Sequence, residues 1–482
     1  MQTMPSESAP PGHYGYVGTF SAHRISPYPL PFENAFCCTP ESCMDVEVLF
    51  LGSGIGLSCA HYLQESALQI LGRPLRIVVA DAGPFDLYTH MAHTKLPRRI
   101  LLDASTERFG GKLLLWGMSA PRPPEDILHR WPYSYEDLIH RFETVEVEMG
   151  VPEPIPLSGR ALERRLQDLL ATRFPQRKTQ SAPLAIDRDG RRWCPVDDMP
   201  SLVQRGVKML PRFRGTQIEV INGRVASLRG HWFDGRSWIF RPRILVLGVG
   251  VEASLPLVSQ VAGLSVSVEA ADHHRIDLHG SLAGNAFGDF NMEELGVAVL
   301  LMECRSREGG IPYHLEIKVA PRDLWNRGFM PSGDNLRGAQ KDTSLWVQIQ
   351  AIGTMHDRFP AMDLLNVAST FPPVMSARDA SLHGEIVAVM SEVAATIGLS
   401  EPAFNMRPLL TNHHLYGAFR VGKAVDSSFR FNGVENLFVL PPTAFVDADD
   451  DANPTLKSRV LSQYAMNAIV SDFTSERLHE SV

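Results

Sequence analysis

Between Asp45 and Gly83 the chain reads DVEVLFLGSGIGLSCAHYLQESALQILGRPLRIVVADAG, and no other stretch restricts the fold as much. Residues 46–51 are a short, mostly apolar run, as expected for a strand covered on both faces. Gly52, Gly54 and Gly56 follow at once, and Ala60, Leu63, Ala67 and Ile70 then recur at helical spacing. LRIVVAD is a second strand ending in Asp81. Strand, glycine turn, helix and strand make one βαβ unit. Side-chain-free residues let a pyrophosphate approach the backbone, and the helix N-terminus offers unpaired N–H groups and a positive dipole end. Asp81 can accept hydrogen bonds from ribose hydroxyls. The unit therefore predicts dinucleotide binding, with a degenerate, empty fold as the competing reading. One position departs from G-x-G-x-x-G: the sixth is Leu57, which asks for a wider helix–strand contact that Gly56 beside it would relieve. The motif leaves FAD and NAD both open.

At 482 residues the chain is long enough for two or three core-sized units, and its 44% apolar and 21% charged residues are those of an ordinary globular protein. Its 46 basic against 54 acidic residues give a net charge of -8, the wrong sign for neutralising phosphates, so a nucleic-acid partner is not expected. Of six cysteines, three cluster in FCCTPESC, without a fourth ligand or a C-x-x-C pair; reduced thiols and no metal are expected. The stretch MQTMPSESAPPGHYGY lacks the charged start and apolar core of a signal peptide, and no apolar run approaches the roughly 18 residues of a membrane span. A cytoplasmic protein with no membrane partner is the expectation. Residues 1–44, rich in Pro, Ser and aromatics, read as an extended arm.

A second glycine pair lies in ERFGGKLLLWGMSAPRPPEDILHRWPYSYEDL. Gly110 and Gly111 permit close backbone approach. Lys112 reads either as a snorkelling surface lysine or as a cation beside the cofactor. Trp116 reads as core or as the wall of a flat ring. Ser134 with Asp137 forms a capping box for a helix ending at Gly150. Further on, TQIEVINGRVASLRGHWFDGRSWIFRPRILVLGVG reads as hairpin strands turning at NG and DG, then an apolar strand ending at Gly248 and Gly250. Glu252 and Ser254 open the next helix. IPYHLEIKVAPRD and TSLWVQIQAIG are candidate strands of another sheet; alternation says which residues share a face, but not which face meets a ligand.

Late in the chain, TNHHLYGAFRVG holds the adjacent His413 and His414, and FVDADDDANPT follows. Taken together, GSGIG…VVADAG, FGGKLLLWGMSAPRP with WPYSYEDL, RILVLGVGVEAS, and HHLYGAFRVG…GVENLFVL…ANPT resemble the glucose–methanol–choline (GMC) flavoprotein oxidoreductases, and within them most the pyranose oxidase branch. The blocks lie in that family's order from residue 45 to about 475. The resemblance implies an α/β fold in which a doubly wound, Rossmann-like FAD-binding domain (residues 45–135, 207–275 and 411–482) is interleaved with an antiparallel-sheet substrate domain (136–206 and 276–410). It implies FAD, held non-covalently, because Leu115 stands where some relatives bond a histidine to the flavin. Gly52, Gly54, Gly56 and Asp81 would hold the ADP half, Gly110, Gly111, Lys112 and Trp116 would lie near the flavin half, and Gly250 marks the chain's return to the nucleotide.

Oxidising an alcohol removes a hydride from carbon and a proton from oxygen; a flavin takes the first, and the protein supplies a base for the second. The resemblance places His414 on the base position and Asn453 on its partner, a neutral side chain that fixes the hydroxyl. Pro454 and Thr455 then open the last helix, whose N-terminus would point at the flavin. Ala418 replaces the usual Thr, and Val421 the usual Met. His413 is the alternative base or a substrate contact; a metal held by the pair is not expected, since adjacent side chains diverge. Asn453 also reads as a helix cap. Asp447, Asp449, Asp450 and Asp451 read either as a solvated acidic turn or as a subsite for a cationic substrate. The expected activity is FAD-dependent oxidation of an alcohol on a sugar-like or amine-bearing small molecule to a ketone or aldehyde, with the electron acceptor open. A homo-oligomer is allowed for, since the arm could reach a neighbour. A flavin-bound lyase and a silent binding protein are the alternatives.

Overall fold

In the computed structural model the described residues are 43–83, 109–114, 116, 118–151, 160–185, 193–261, 269–283, 286–287, 298–321, 345–360, 375–406, 415–445 and 453–480. They form a mixed α/β structure around two large sheets.

The first sheet grows from the βαβ unit. Strand β1 (Cys43–Leu51) leads through Ser53 into helix α1 (Gly54–Leu71), which ends at the left-handed Gly72, and the chain returns as β2 (Ile77–Ala80). β1 is central, parallel to β2 on one side and to β7 (Ser237–Leu247) on the other, so the side chains of residues 46–51 are buried whichever way they point. Outside β2 lies β4 (Lys208–Leu210), also parallel. β7 is long enough to serve two partners. Its first half pairs antiparallel with β6 (Arg224–Trp232), itself paired with β5 (Phe213–Ile221), and its last residues pair parallel with β15 (Leu437–Val439). The β5–β6 turn is Asn222-Gly223, with φ of 51° and 74°, the two positive angles a type I′ hairpin needs. The β6–β7 turn carries Gly235 at φ 85°. Asn436 fastens β15 by accepting from Val225 N–H (2.7 Å) and donating to the carbonyls of Val225 and Arg243 (3.1 and 2.9 Å).

One stripe on α1 differs from the sequence expectation. Ala60, Leu63 and Ala67 are buried, but Ile70 is 61% exposed and Leu71 continues the stripe at 5%. From Ala67 a step of four, not three, keeps the 3.6-residue period on the sheet side. Helix α2 (Tyr135–Glu148) starts where expected: Ser134 Oγ accepts from Asp137 N–H at 3.3 Å, and Gly150 has φ 72° beyond its end. Against α1 packs the long C-terminal helix.

The second sheet is antiparallel throughout, in the order β14 (Ser400–Met406), β9 (His273–Leu282), β12 (Leu345–Thr354), β11 (Pro312–Pro321), β10 (Ala298–Arg305), β3 (Thr179–Ser181). Its two faces are chemically opposite. Ile276 and Leu278, Leu300 and Met302, Leu315 and Ile317, and Val347 and Ile349 join a core closed by α3 (Arg160–Arg173) and α5 (Ala377–Ile397). The other face carries Asp277 on β9, His314, Glu316 and Lys318 on β11, and Gln348 and Gln350 on β12, all nearly sealed from solvent. By length and composition α5 would also cross a membrane, unlike any run singled out in the sequence. Leu382, Ile386, Met390 and Val393 on it are buried in this core. Between α3 and α5 in the chain, α4 (Gly250–Val258) follows β7. The chain ends in α6 (Pro454–Glu480).

Candidate active site

Gly52, Gly54, Gly110 and Gly111 meet where β1 and β7 end. Gly52 has φ 104°, and a Cβ built on it would lie 2.4 Å from the carbonyl oxygen of Gly248. The two strand-end turns therefore touch backbone to backbone, which only glycine permits. Gly110 and Gly111, at φ 103° and 57°, lie over the start of α1: a Cβ on Gly54 would be 3.4 Å from the Gly110 carbonyl oxygen, and one on Gly111 would be 3.6 Å from Gly54 Cα. Gly56 faces inward instead, toward Phe50 of β1 at an ordinary 3.7 Å, while Leu57 is fully buried. The helix–strand contact thus accommodates Leu57 with Gly56 against the strand.

Asp81 closes this turn. Its Oδ2 accepts from Ser53 N–H (2.7 Å) and Ser53 Oγ (2.5 Å), and its Oδ1 from Gly83 N–H (2.8 Å). Ser53 Oγ in turn accepts from Gly110 N–H at 2.5 Å, so one carboxylate ties β2, the head of α1 and the second glycine pair together. Lys112 forms an ion pair with Glu252 on α4 (2.9 Å), both ends partly exposed. Near them Asp272 is buried; burial pushes its pKa up to about 6, against the pull of the His273 N–H and of the Lys112 and Arg275 charges. Trp116 is half-buried, edge-to-face with Trp193 at 5.9 Å, and donates from Nε1 to the Trp193 carbonyl.

This cluster fits a dinucleotide. The helix head presents first-turn N–H groups and the flanking backbone is bare of side chains at Gly52, Gly110 and Gly111; elsewhere, beside Asn453 and Phe419, Ser119 and Thr443 keep buried hydroxyls with no partner among the described residues.

His413 and His414 lie outside the described residues, as do Leu115 and the acidic run Asp447, Asp449, Asp450 and Asp451. Their flanks are described and run side by side. Gly417 N–H donates to the Pro442 carbonyl, Phe419 N–H to that of Thr443, and Val421 N–H to that of Phe445. Just before β9, Tyr416 of the same strap and Ala271 exchange backbone hydrogen bonds, and the Tyr416 ring tilts against His273 at 5.0 Å. Gly250 opens α4 at φ 78°.

Asn453 heads α6, followed by Pro454 and the buried Thr455. Its Nδ2 donates to the Ser119 carbonyl (3.1 Å) and to Glu316 Oε1 (3.0 Å). A capping asparagine would instead accept, through Oδ1, from the first helical turn, and no such bond exists among the described residues. Asn453 thus bridges the α6 head to the polar face of the second sheet. There Glu316 Oε2 meets Lys318 Nζ at 2.8 Å, Lys318 reaches Gln350 at 3.3 Å, and Gln350 and Gln348 donate to Asp277 Oδ1 at 2.8 and 3.2 Å. Burial alone would raise the Glu316 pKa, but Lys318 and His314 hold it well below the usual carboxylate range.

Glu316, Lys318 and His314 were not singled out from the sequence. Their signal was the alternation of HLEIK, which marks one strand face as polar. Only the burial of that face turns a solvated stripe into a site.

No family model and no curated protein matches the sequence. Among solved structures, the chain is similar to pyridoxine 4-oxidase from Mesorbium loti, with a TM-score of 0.58 over 87% of this chain and 98% of that one, at 16% identity. The likeness is one of fold.

Proposed function

We propose that the chain is an FAD-dependent alcohol oxidoreductase of the GMC type, oxidising a CH–OH group of a small molecule to a ketone or aldehyde. The observation that carries the reading is Asn453. It joins the head of the helix that follows the dinucleotide-type sheet to a sealed polar face of a second sheet, between which a small polar molecule would be held. The sequence blocks shared with the GMC flavoproteins, and a fold shared with an oxidase, support it. That likeness does not favour the pyranose oxidase branch, so a sugar substrate rests on the sequence resemblance.

When bound, FAD supplies the hydride acceptor. Gly52, Gly54 and Asp81 would hold its ADP half, and Gly110, Gly111 and the Ser119 and Thr443 hydroxyls would meet its remainder. His414, on sequence grounds, takes the hydroxyl proton. The carboxylates at Asp447, Asp449, Asp450 and Asp451 would draw in a cationic group, such as that of an amino sugar.

The test is anaerobic addition of a panel of alcohols, sugars and amino sugars to the FAD-loaded protein. Bleaching of the flavin by an alcohol supports the reading; turnover with the flavin oxidised throughout points to a lyase instead. His414→Ala is expected to lose about 10²–10⁴ in rate while retaining FAD. A variant with undiminished turnover would remove His414 from the chemistry.

A further inference from the structure

We propose that Glu316 is a positioning residue that locks the Asn453 amide with its carbonyl oxygen free for the substrate, so that the site selects alcohols carrying a second hydrogen-bond donor, a hydroxyl or a protonated amine, beside the hydroxyl that is oxidised. The inference rests on the alcohol-oxidation reading above and adds a substrate class to it.

The amide orientation follows from its partners. The Ser119 carbonyl and the Glu316 carboxylate are both acceptors, so the Asn453 nitrogen must face them, at 3.1 and 3.0 Å. A flipped amide would set an oxygen against two acceptors. Among the described residues Oδ1 takes no hydrogen bond, and it is not among the sealed polar atoms.

The lock is firm because Glu316 cannot turn away. Its second oxygen is held by Lys318 at 2.8 Å, Lys318 by Gln350, and Gln350 by Asp277, all buried. His314 Nε2 stands 3.7 Å from the oxygen that Asn453 uses.

Proton counting then limits what Asn453 can do. The reacting hydroxyl owns one proton, and that proton goes to the base. An amide that offers only its carbonyl would compete with the base for the same proton if it anchored the same oxygen. It is matched instead to a different donor. Asn453 thus departs from the role expected from the sequence, in which it fixes the reacting oxygen.

The experiment uses the FAD-loaded protein and matched substrate pairs: a vicinal diol and its monomethyl ether on the non-reacting oxygen, and an amino alcohol and its N,N,N-trimethyl derivative, which keeps the charge and lacks the donor. The free donor is expected to raise kcat/KM about tenfold or more, mainly through KM. Thermal-shift binding of the same pairs should rank them identically without turnover. In Glu316→Gln, Lys318 claims the side-chain oxygen and the new NH2 group faces Asn453, which frees the amide to flip; the diol-to-ether ratio should fall toward one while FAD is retained. In Asn453→Ala the ratio should collapse in the same way. Equal handling of diol and ether by the unmodified protein would overturn the proposal while leaving alcohol oxidation standing. An unchanged ratio in an FAD-retaining Glu316→Gln, or in Asn453→Ala, would overturn the assigned roles. If no alcohol bleaches the flavin, the function itself fails, and this inference with it.

Discussion

Gly52 and Gly56 stand in the same glycine turn, yet the structure predicts opposite outcomes for adding one methyl group. At Gly52 an alanine meets two penalties. Its φ of 104° is a conformation that L-residues rarely adopt, at a cost of about 1–3 kcal/mol. Its Cβ would also lie 2.4 Å from Gly248 O, 2.5 Å from Gly248 C and 2.7 Å from Val249 N, all backbone atoms at the end of β7. Relieving such overpacking typically costs about 1–3 kcal/mol more. Gly52→Ala is thus expected to lose about 2–6 kcal/mol, a large share of a typical domain's about 5–15 kcal/mol. It should also push apart the turns of β1 and β7 and abolish FAD retention. At Gly56 the added methyl meets Phe50 Cβ at 3.7 Å and Cδ1 at 3.8 Å, ordinary van der Waals contact, with no positive φ. Replacing a helical glycine there gains up to about 1 kcal/mol of helix propensity. The assay is urea unfolding of both variants beside the unmodified chain, with flavin absorbance after gel filtration. The reasoning is refuted if Gly52→Ala stays within about 0.5 kcal/mol of the parent, the usual scatter of harmless substitutions, or if Gly56→Ala is as damaging as Gly52→Ala.

Asp272 gives a pH-dependent prediction. Burial raises its pKa from 3.8 to about 6, so the native state binds its proton more tightly than the unfolded chain does. Its unfavourable contribution is absent below about pH 4, grows between about pH 4 and 6, and is complete above that range. Asp272→Asn should therefore raise stability at pH 8 by up to about 3 kcal/mol and give no gain at pH 4, read from urea midpoints at the two pH values. Asn436→Ala removes three hydrogen bonds to backbone groups, two of them buried, and should cost about 2–4 kcal/mol in the same assay. A loss below about 0.5 kcal/mol would mean that β15 is not held by that side chain.

Much of the first sheet could be read directly. Residues 46–51 read as a strand buried on both faces, the glycines and Asp81 marked the turn, and Asn222-Gly223 announced a hairpin. These signals are local, since backbone angles and periodicity act within a few residues. The misread Ile70 shows the limit: spacings of three and four are both helical, and only the sheet decides which faces inward. The strands around HLEIK and WVQIQ were equally legible as strands, but their polar stripe had no assigned environment.

The sequence by itself therefore determined the strand–turn–helix–strand unit, the hairpins and the alternation of the second sheet. Tertiary structure alone decided that Gly52 abuts Gly248, that the polar face of β11 and β12 is sealed, and that the Asn453 amide is turned nitrogen-first onto Glu316. Asn453 and Glu316 are 137 positions apart, and the sense of a hydrogen bond between distant groups is set by what each one meets on folding. Residue type fixes what a group can donate or accept, and the packing of the two sheets fixes which capacity is left for a ligand.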